Sequence, residues 1–121
     1  KRELLHGIAH PFAKANPQFV FRPRRRDNPS GYVVDTIQAV LQAFFDTDTF
    51  EECLVEVVNR GGDADTTGAI AGMLAGAHFG LDAIPARWLK QLDPAIRLKC
   101  LEYGPKLLAS AHQPRREVTT A

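Results

Sequence analysis

The sequence predicts an all-α chain, and three observations carry that reading. Apolar residues recur at helical spacing from about Tyr32 to Asp46 and again from Phe50 to Val58. A run rich in glycine and alanine follows, up to Gly80. No strand-like alternation of any length occurs, and no internal repeat or low-complexity tract does. With 121 residues, 45% of them hydrophobic, the chain suffices for one compact unit and not for two domains.

The elements can be justified in order. A first helix is expected from about Arg2 to His10, where Pro11 stops or kinks it. Phe21 to Pro29 is a loop by its prolines and charges, and it delivers the chain into Gly31 and Tyr32. From Tyr32 to about Asp46, Val33, Ile37, Val40 and Phe44, with Val34, Leu41 and Phe45 beside them, mark one wide apolar face. Asp46-Thr47-Asp48-Thr49 reads as a loop plus cap. Thr49-x-x-Glu52 is a capping box opening a helix whose apolar positions are Phe50, Cys53, Leu54, Val57 and Val58. Gly80 is the C-cap of the small-residue helix, Pro85 opens a short helix through Leu92, and Asp93-Pro94 caps the last one. Gly104-Pro105 is expected to kink or divide that last helix, and residues 112–121 to fray.

Asn59-Arg60-Gly61-Gly62-Asp63-Ala64-Asp65-Thr66-Thr67-Gly68 carries the most chemistry. Asp63 and Asp65 lie two apart in a glycine-led turn, so both carboxylates can point to one side. At about 5 Å and an effective dielectric of about 20, their repulsion is about 3 kcal/mol. A hard divalent cation with oxygen ligands would relieve it. Gly68, Gly72 and Gly76 then recur every four residues among alanines, so one face of the helix is nearly bare backbone. Each glycine costs about 0.5 to 1 kcal/mol relative to alanine, which close helix packing must offset. With Ile70, Met73 and Leu74 also apolar, a fully buried central helix is expected, its start putting the aspartates at the floor of a site. It is too short to span a membrane.

Two other readings compete. Either aspartate could simply cap the helix, although a second aspartate, two threonines and paired glycines exceed what capping requires. A calcium loop would place Asp63, Asp65 and Thr67 at its first, third and fifth positions, but its last position, a bidentate Glu, is Leu74.

The pattern from Asn59 to Gly80 resembles the C-terminal signature of the ADP-ribosylglycohydrolases. Ser30-Gly31-Tyr32-Val33-Val34-Asp35-Thr36 resembles a family segment upstream of that signature, and Asp82-Ala83-Ile84-Pro85-Ala86-Arg87-Trp88-Leu89 a segment of the bacterial members that act on dinitrogenase reductase. The likeness covers about Ser30 to Leu92. It implies an all-helical hydrolase with two divalent cations, manganese or magnesium, that removes ADP-ribose from a modified protein side chain, usually arginine. It implies Asp63, Asp65 and Thr66 as metal ligands, and Tyr32 with Gly31 as the substrate-contacting segment. Paired metals can hold ribose hydroxyls and water and stabilise charge as a glycosidic bond breaks. On residue physics alone, Tyr32 could equally be core.

The family's early Thr-Asp-Asp or Ser-Asp-Asp motif is absent, so the chain is expected to be the C-terminal part of a longer enzyme. The general base and the rest of the metal shell would then lie in a missing N-terminal half, and the fragment alone would be inactive. The alternative is a non-catalytic helical relative whose acidic turn is structural, or a module that only binds ADP-ribose.

The remaining features are less specific. A formal charge of +1 predicts no nucleic-acid partner. Cys53 and Cys100 lie in apolar helical patterns, as packed reduced thiols of a cytoplasmic protein would. No targeting, transmembrane or lipidation signal is present. Arg22, Arg24, Arg25 and Arg26 could bind a pyrophosphate, but a solvated loop is the simpler account. His6 and His10 have the spacing of a helical zinc pair but lack the glutamate a zincin needs, and His78 reads as a packing or helix-end histidine. No nucleophile elbow, phosphate loop or dinucleotide fingerprint exists.

Overall fold

A computed structural model of the chain describes residues 21–22 and 24–112. The expected first helix, the His6/His10 pair and all but the start of the expected frayed tail lie outside them. The described residues contain helices and no strand, so the all-α expectation holds. They divide at Pro85/Ala86 into two units.

The first unit holds α1 (Val33–Asp46), α2 (Phe50–Val58) and α3 (Ala64–Phe79), followed by a 3₁₀ turn over Leu81–Ala83. Ser30 organises the start of α1. Its hydroxyl accepts from the Tyr32 N–H at 3.2 Å and donates to the Asp35 carboxylate at 2.7 Å, while the Thr36 hydroxyl donates to its carbonyl at 3.2 Å. Asp35 is also an acid in the first turn, where the helix dipole favours it. At the other end the Thr47 hydroxyl donates to the Ala43 carbonyl at 2.7 Å, satisfying one of the helix's free carbonyls.

Thr49 caps α2 as expected, accepting from the Glu52 N–H at 3.1 Å. The reciprocal bond is displaced by one residue, the Glu52 carboxylate accepting from the Asp48 N–H at 3.1 Å. Gly80 ends α3 with φ +86°.

The core is made by Ala39, Val40, Ala43 and Phe44 of α1, Phe50, Cys53 and Val57 of α2, and Ala71 and Ala75 of α3. The glycine stripe of α3 lies along α2 in antiparallel register. A Cβ at Gly68 would sit 3.1 Å from Val58, one at Gly72 would sit 3.8 Å from Leu54, and one at Gly76 would sit 4.0 Å from Phe50. Only Gly68 is held that tightly.

Three expectations need correction. The α1 face is rotated, because its buried stripe includes Thr36, Ala39 and Ala43, while Val33 is 59% exposed. Small and polar side chains let α1 approach its neighbours, which hydropathy alone does not reveal. Helix α3 is not buried on all sides. Thr67, Ala71 and Ala75 are buried, but Met73 is 74% exposed, and Ala69, Ile70 and Ala77 are exposed too. Helices α1 and α2 cover two adjoining stripes of it and leave the third. Cys53 is buried as expected, but Cys100 is exposed.

The second unit holds α4 (Ala86–Gln91) and α5 (Pro94–Ala111). Asp93 caps α5, accepting from the N–H groups of Ala95 at 2.8 Å and Ile96 at 3.2 Å, with Pro94 in the first turn. Helix α5 runs through Pro105 undivided. No helix among the described residues is long and apolar enough to cross a membrane.

Candidate functional site

The acidic turn is built by two segments that dock backbone to backbone. The Asn28 N–H donates to the Arg60 carbonyl at 2.8 Å, and the Asp63 N–H donates to the Pro29 carbonyl at 3.0 Å. Gly61 and Gly62 pass through φ +77° and +63°, the region that favours glycine. A Cβ at Gly62 would collide with the Pro29 carbonyl oxygen, so this approach needs glycine twice over.

The turn delivers Asp63 to the start of α3 and Asp65 into its first turn. Asp63, followed by the backbone N–H groups of Thr66 and of Asp65 itself, holds the Asp65 carboxyl below its ordinary value. Asp65 is exposed and Asp63 half-buried, which places the pair at the rim and corrects the expected floor position. Thr66 is half-buried beside them. Thr67 is fully buried, its hydroxyl donating to the carbonyls of Asp63 at 3.2 Å and Ala64 at 3.3 Å, which makes it scaffold.

The upstream segment meets this turn. A Cβ at Gly31 would lie 2.8 Å from Asp63 Oδ2, so the bare Gly31 backbone leaves that oxygen open. Tyr32 follows with its side chain out, 65% exposed, which removes the core alternative. Gly31, Asp63 and Asp65 are therefore brought together, with Tyr32 and Thr66 adjacent in the chain. The donors are hard oxygens, which suits magnesium or manganese. Among the described residues no group of three or more His, Cys, Asp or Glu is placed to hold a metal.

Sequence reasoning missed what holds the turn from beneath. The Arg60 side chain is fully buried. It donates to Gln42 Oε1 at 2.6 Å and to Glu56 Oε1 at 2.8 and 3.1 Å. Glu56 also pairs with Arg25 at 3.1 Å, and the Gln42 amide donates to the Arg22 carbonyl at 2.6 Å. The four-residue spacing of Glu56 and Arg60 was a legible signal of the pair, but not of its burial.

A family model described as ADP-ribosylglycohydrolase matches residues 3–117. The chain belongs to the ADP-ribosylglycohydrolase family. Over 93 residues it is 52% identical to the ADP-ribosyl-dinitrogen reductase glycohydrolase of Rhodospirillum rubrum, covering 77% of this chain and 31% of that protein. Over 83 residues it is 39% identical to an ADP-ribosylarginine hydrolase of Serratia proteamaculans, covering 67% of this chain and 23% of the relative. A human ADP-ribosylhydrolase is 37% identical over 45 residues, 37% of this chain and 12% of that protein. This member of the family thus spans less than a third of the length of these relatives.

Proposed function

We propose that the chain carries part of the metal centre of a glycohydrolase that removes ADP-ribose from an arginine of a target protein. The observation that carries this reading is the placement of Asp63 and Asp65 together at the end of a glycine turn and the start of a helix, with Asp63 Oδ2 open on the Gly31 side. The names of the Rhodospirillum and Serratia relatives support the ADP-ribosylarginine linkage, and the former favours dinitrogenase reductase as target, hence a cytoplasmic regulator of nitrogen fixation.

Asp63, Asp65 and Thr66 would hold two divalent cations, manganese or magnesium, together with ligands from other residues. Such cations supply Lewis acidity and a template for sugar hydroxyls. Gly31 keeps the approach to Asp63 clear, and the exposed Tyr32 ring offers a flat face on which ADP-ribose can lie. In the overall reaction a water oxygen bonds to the anomeric carbon, the carbon–nitrogen bond to the guanidine breaks, and that nitrogen takes up a proton. The general base is assigned to none of the described residues.

The test is release of ADP-ribose from an ADP-ribosylarginine protein by the natural protein containing this sequence, with manganese and with chelator. Asp65→Ala should abolish manganese-dependent release while leaving the helical circular dichroism unchanged. An unchanged rate would refute the assignment.

A further inference from the structure

The arginine-rich loop is more than a solvated run. Arg22, Arg24 and Arg26 line a groove of about 190 Å³ against one face of α1, whose lining includes Asp35, Gln38 and Gln42. Arg25 does not line it and pairs with Asp27 at 3.0 Å and Glu56 at 3.1 Å. The loop is pinned at its start, where the Arg22 N–H donates to Gln38 at 2.8 Å and the Arg22 carbonyl accepts from Gln42 at 2.6 Å. Gln42 is itself locked by the buried Arg60, so the loop's footing is rigid.

The charges in the groove are unevenly committed. Asp27, which also lines it, is already paired with Arg25, and Asp35 accepts the Ser30 hydroxyl. Among the described residues no carboxylate is paired with the guanidinium of Arg22, Arg24 or Arg26. Three arginines around one small concavity repel one another, and an anion with several oxygens relieves that repulsion through forked, charge-assisted bonds. The volume is below the roughly 300 to 1,000 Å³ usual for drug-sized ligands, which points to a compact anion.

We infer that this groove is an anion subsite for a phosphate-bearing ligand of more than one negative charge. Two sources share that chemistry, the diphosphate of a bound ADP-ribosyl group and a free phosphate or pyrophosphate. The anion site stands on its own geometry, and only its assignment to the substrate's diphosphate rests on the glycohydrolase reading. The groove reaches the acidic turn through Pro29, which lines it and whose carbonyl bonds the Asp63 N–H.

The experiment is calorimetric titration of the chain with inorganic pyrophosphate and, separately, with ADP-ribose, in chelator and low salt so that no metal contributes. Both should bind, and the double variant Arg24→Ala/Arg26→Ala should weaken both by about tenfold or more, whereas the charge-matched Arg97→Ala/Lys99→Ala, away from the groove lining, should leave affinity within about twofold. Arg24 and Arg26 are exposed in an irregular segment, so folding should persist, which circular dichroism checks. Absence of pyrophosphate binding, or an equal loss in Arg97→Ala/Lys99→Ala, would overturn the site, the latter by showing that only net charge matters. Loss of pyrophosphate binding with ADP-ribose unaffected would support the site and assign it to the free anion. None of these outcomes depends on turnover, so failure here is separable from failure of the Asp65 test.

Discussion

Replacing Arg60 should unfold the first unit more readily than any exposed substitution in the chain. The side chain is fully buried, with two hydrogen bonds to Glu56 and one to Gln42. Removing one partner of a buried ion pair costs about 3 to 5 kcal/mol where the survivor is left without compensation. Glu56 keeps Arg25 as a partner and its side chain retains 22% exposure, so the lower end applies. Gln42, 3% exposed, loses its acceptor's donor in the core. Together these give about 3 to 4 kcal/mol for Arg60→Met, which keeps the apolar stem, or about 12 to 30 °C in Tm for a domain of this size. The assay is urea unfolding followed by far-ultraviolet circular dichroism, with Gln42→Leu alone and in combination. The double variant should recover part of the loss, because an unsatisfied amide is removed, with a coupling of about 1 kcal/mol. A loss below about 1 kcal/mol for Arg60→Met, or strict additivity, would refute the view that this network holds the acidic turn.

Other outcomes follow from single contacts. Gly76→Ala, with no neighbour inside 4.0 Å, should stabilise by about 0.5 to 1 kcal/mol in urea unfolding, whereas Gly68→Ala, 3.1 Å from Val58, should gain nothing; equal gains would sink the packing register. Gly31→Ala should weaken manganese binding measured by electron paramagnetic resonance, since its Cβ would stand 2.8 Å from Asp63 Oδ2; unchanged affinity would mean that this oxygen is not a ligand. Asp65 is held below its ordinary pKa, so its contribution is complete above the usual carboxylate range and lost as pH falls through the lowered value. Asp63→Ala removes the largest cause, and the Asp65 carboxyl carbon should then titrate at higher pH by nuclear magnetic resonance; no upward movement would contradict the contact. A thiol reagent should modify Cys100 promptly and Cys53, 0% exposed, only on unfolding; prompt reaction of both would contradict the core.

Local signals in the sequence were largely reliable. The caps at Thr49, Gly80 and Asp93 and the glycine turn before Asp63 act within a few residues, so spacing alone reveals them. The placement of Asp63 and Asp65 at the start of α3 was legible for the same reason. What failed was everything set by which elements meet. Gln42 and Arg60 are polar residues whose burial follows from facing each other across α1 and the end of α2, a fact no window of sequence contains. The exposed face of α3 was misread because an apolar residue such as Met73 marks what could be buried, not what is. The groove beside the arginine loop depends on the loop lying against α1, and prolines suggested only that no helix forms.

The acidic turn separates two kinds of residue that proximity would otherwise merge. The turn that presents Asp63 and Asp65 spends two glycines at positive φ, an entropic cost to local stability. The offsetting interactions lie elsewhere, in the backbone bonds of Asn28 and Asp63 and in the side chains beneath Arg60. Removing an exposed or half-buried carboxylate should therefore leave the fold intact while abolishing cation binding. Removing Arg60 should do the reverse in order, lowering stability first and cation affinity only as the turn loosens. A variant set in which stability and manganese affinity moved together at all three positions would mean that the carboxylates are structural, and the capping alternative would replace the metal site.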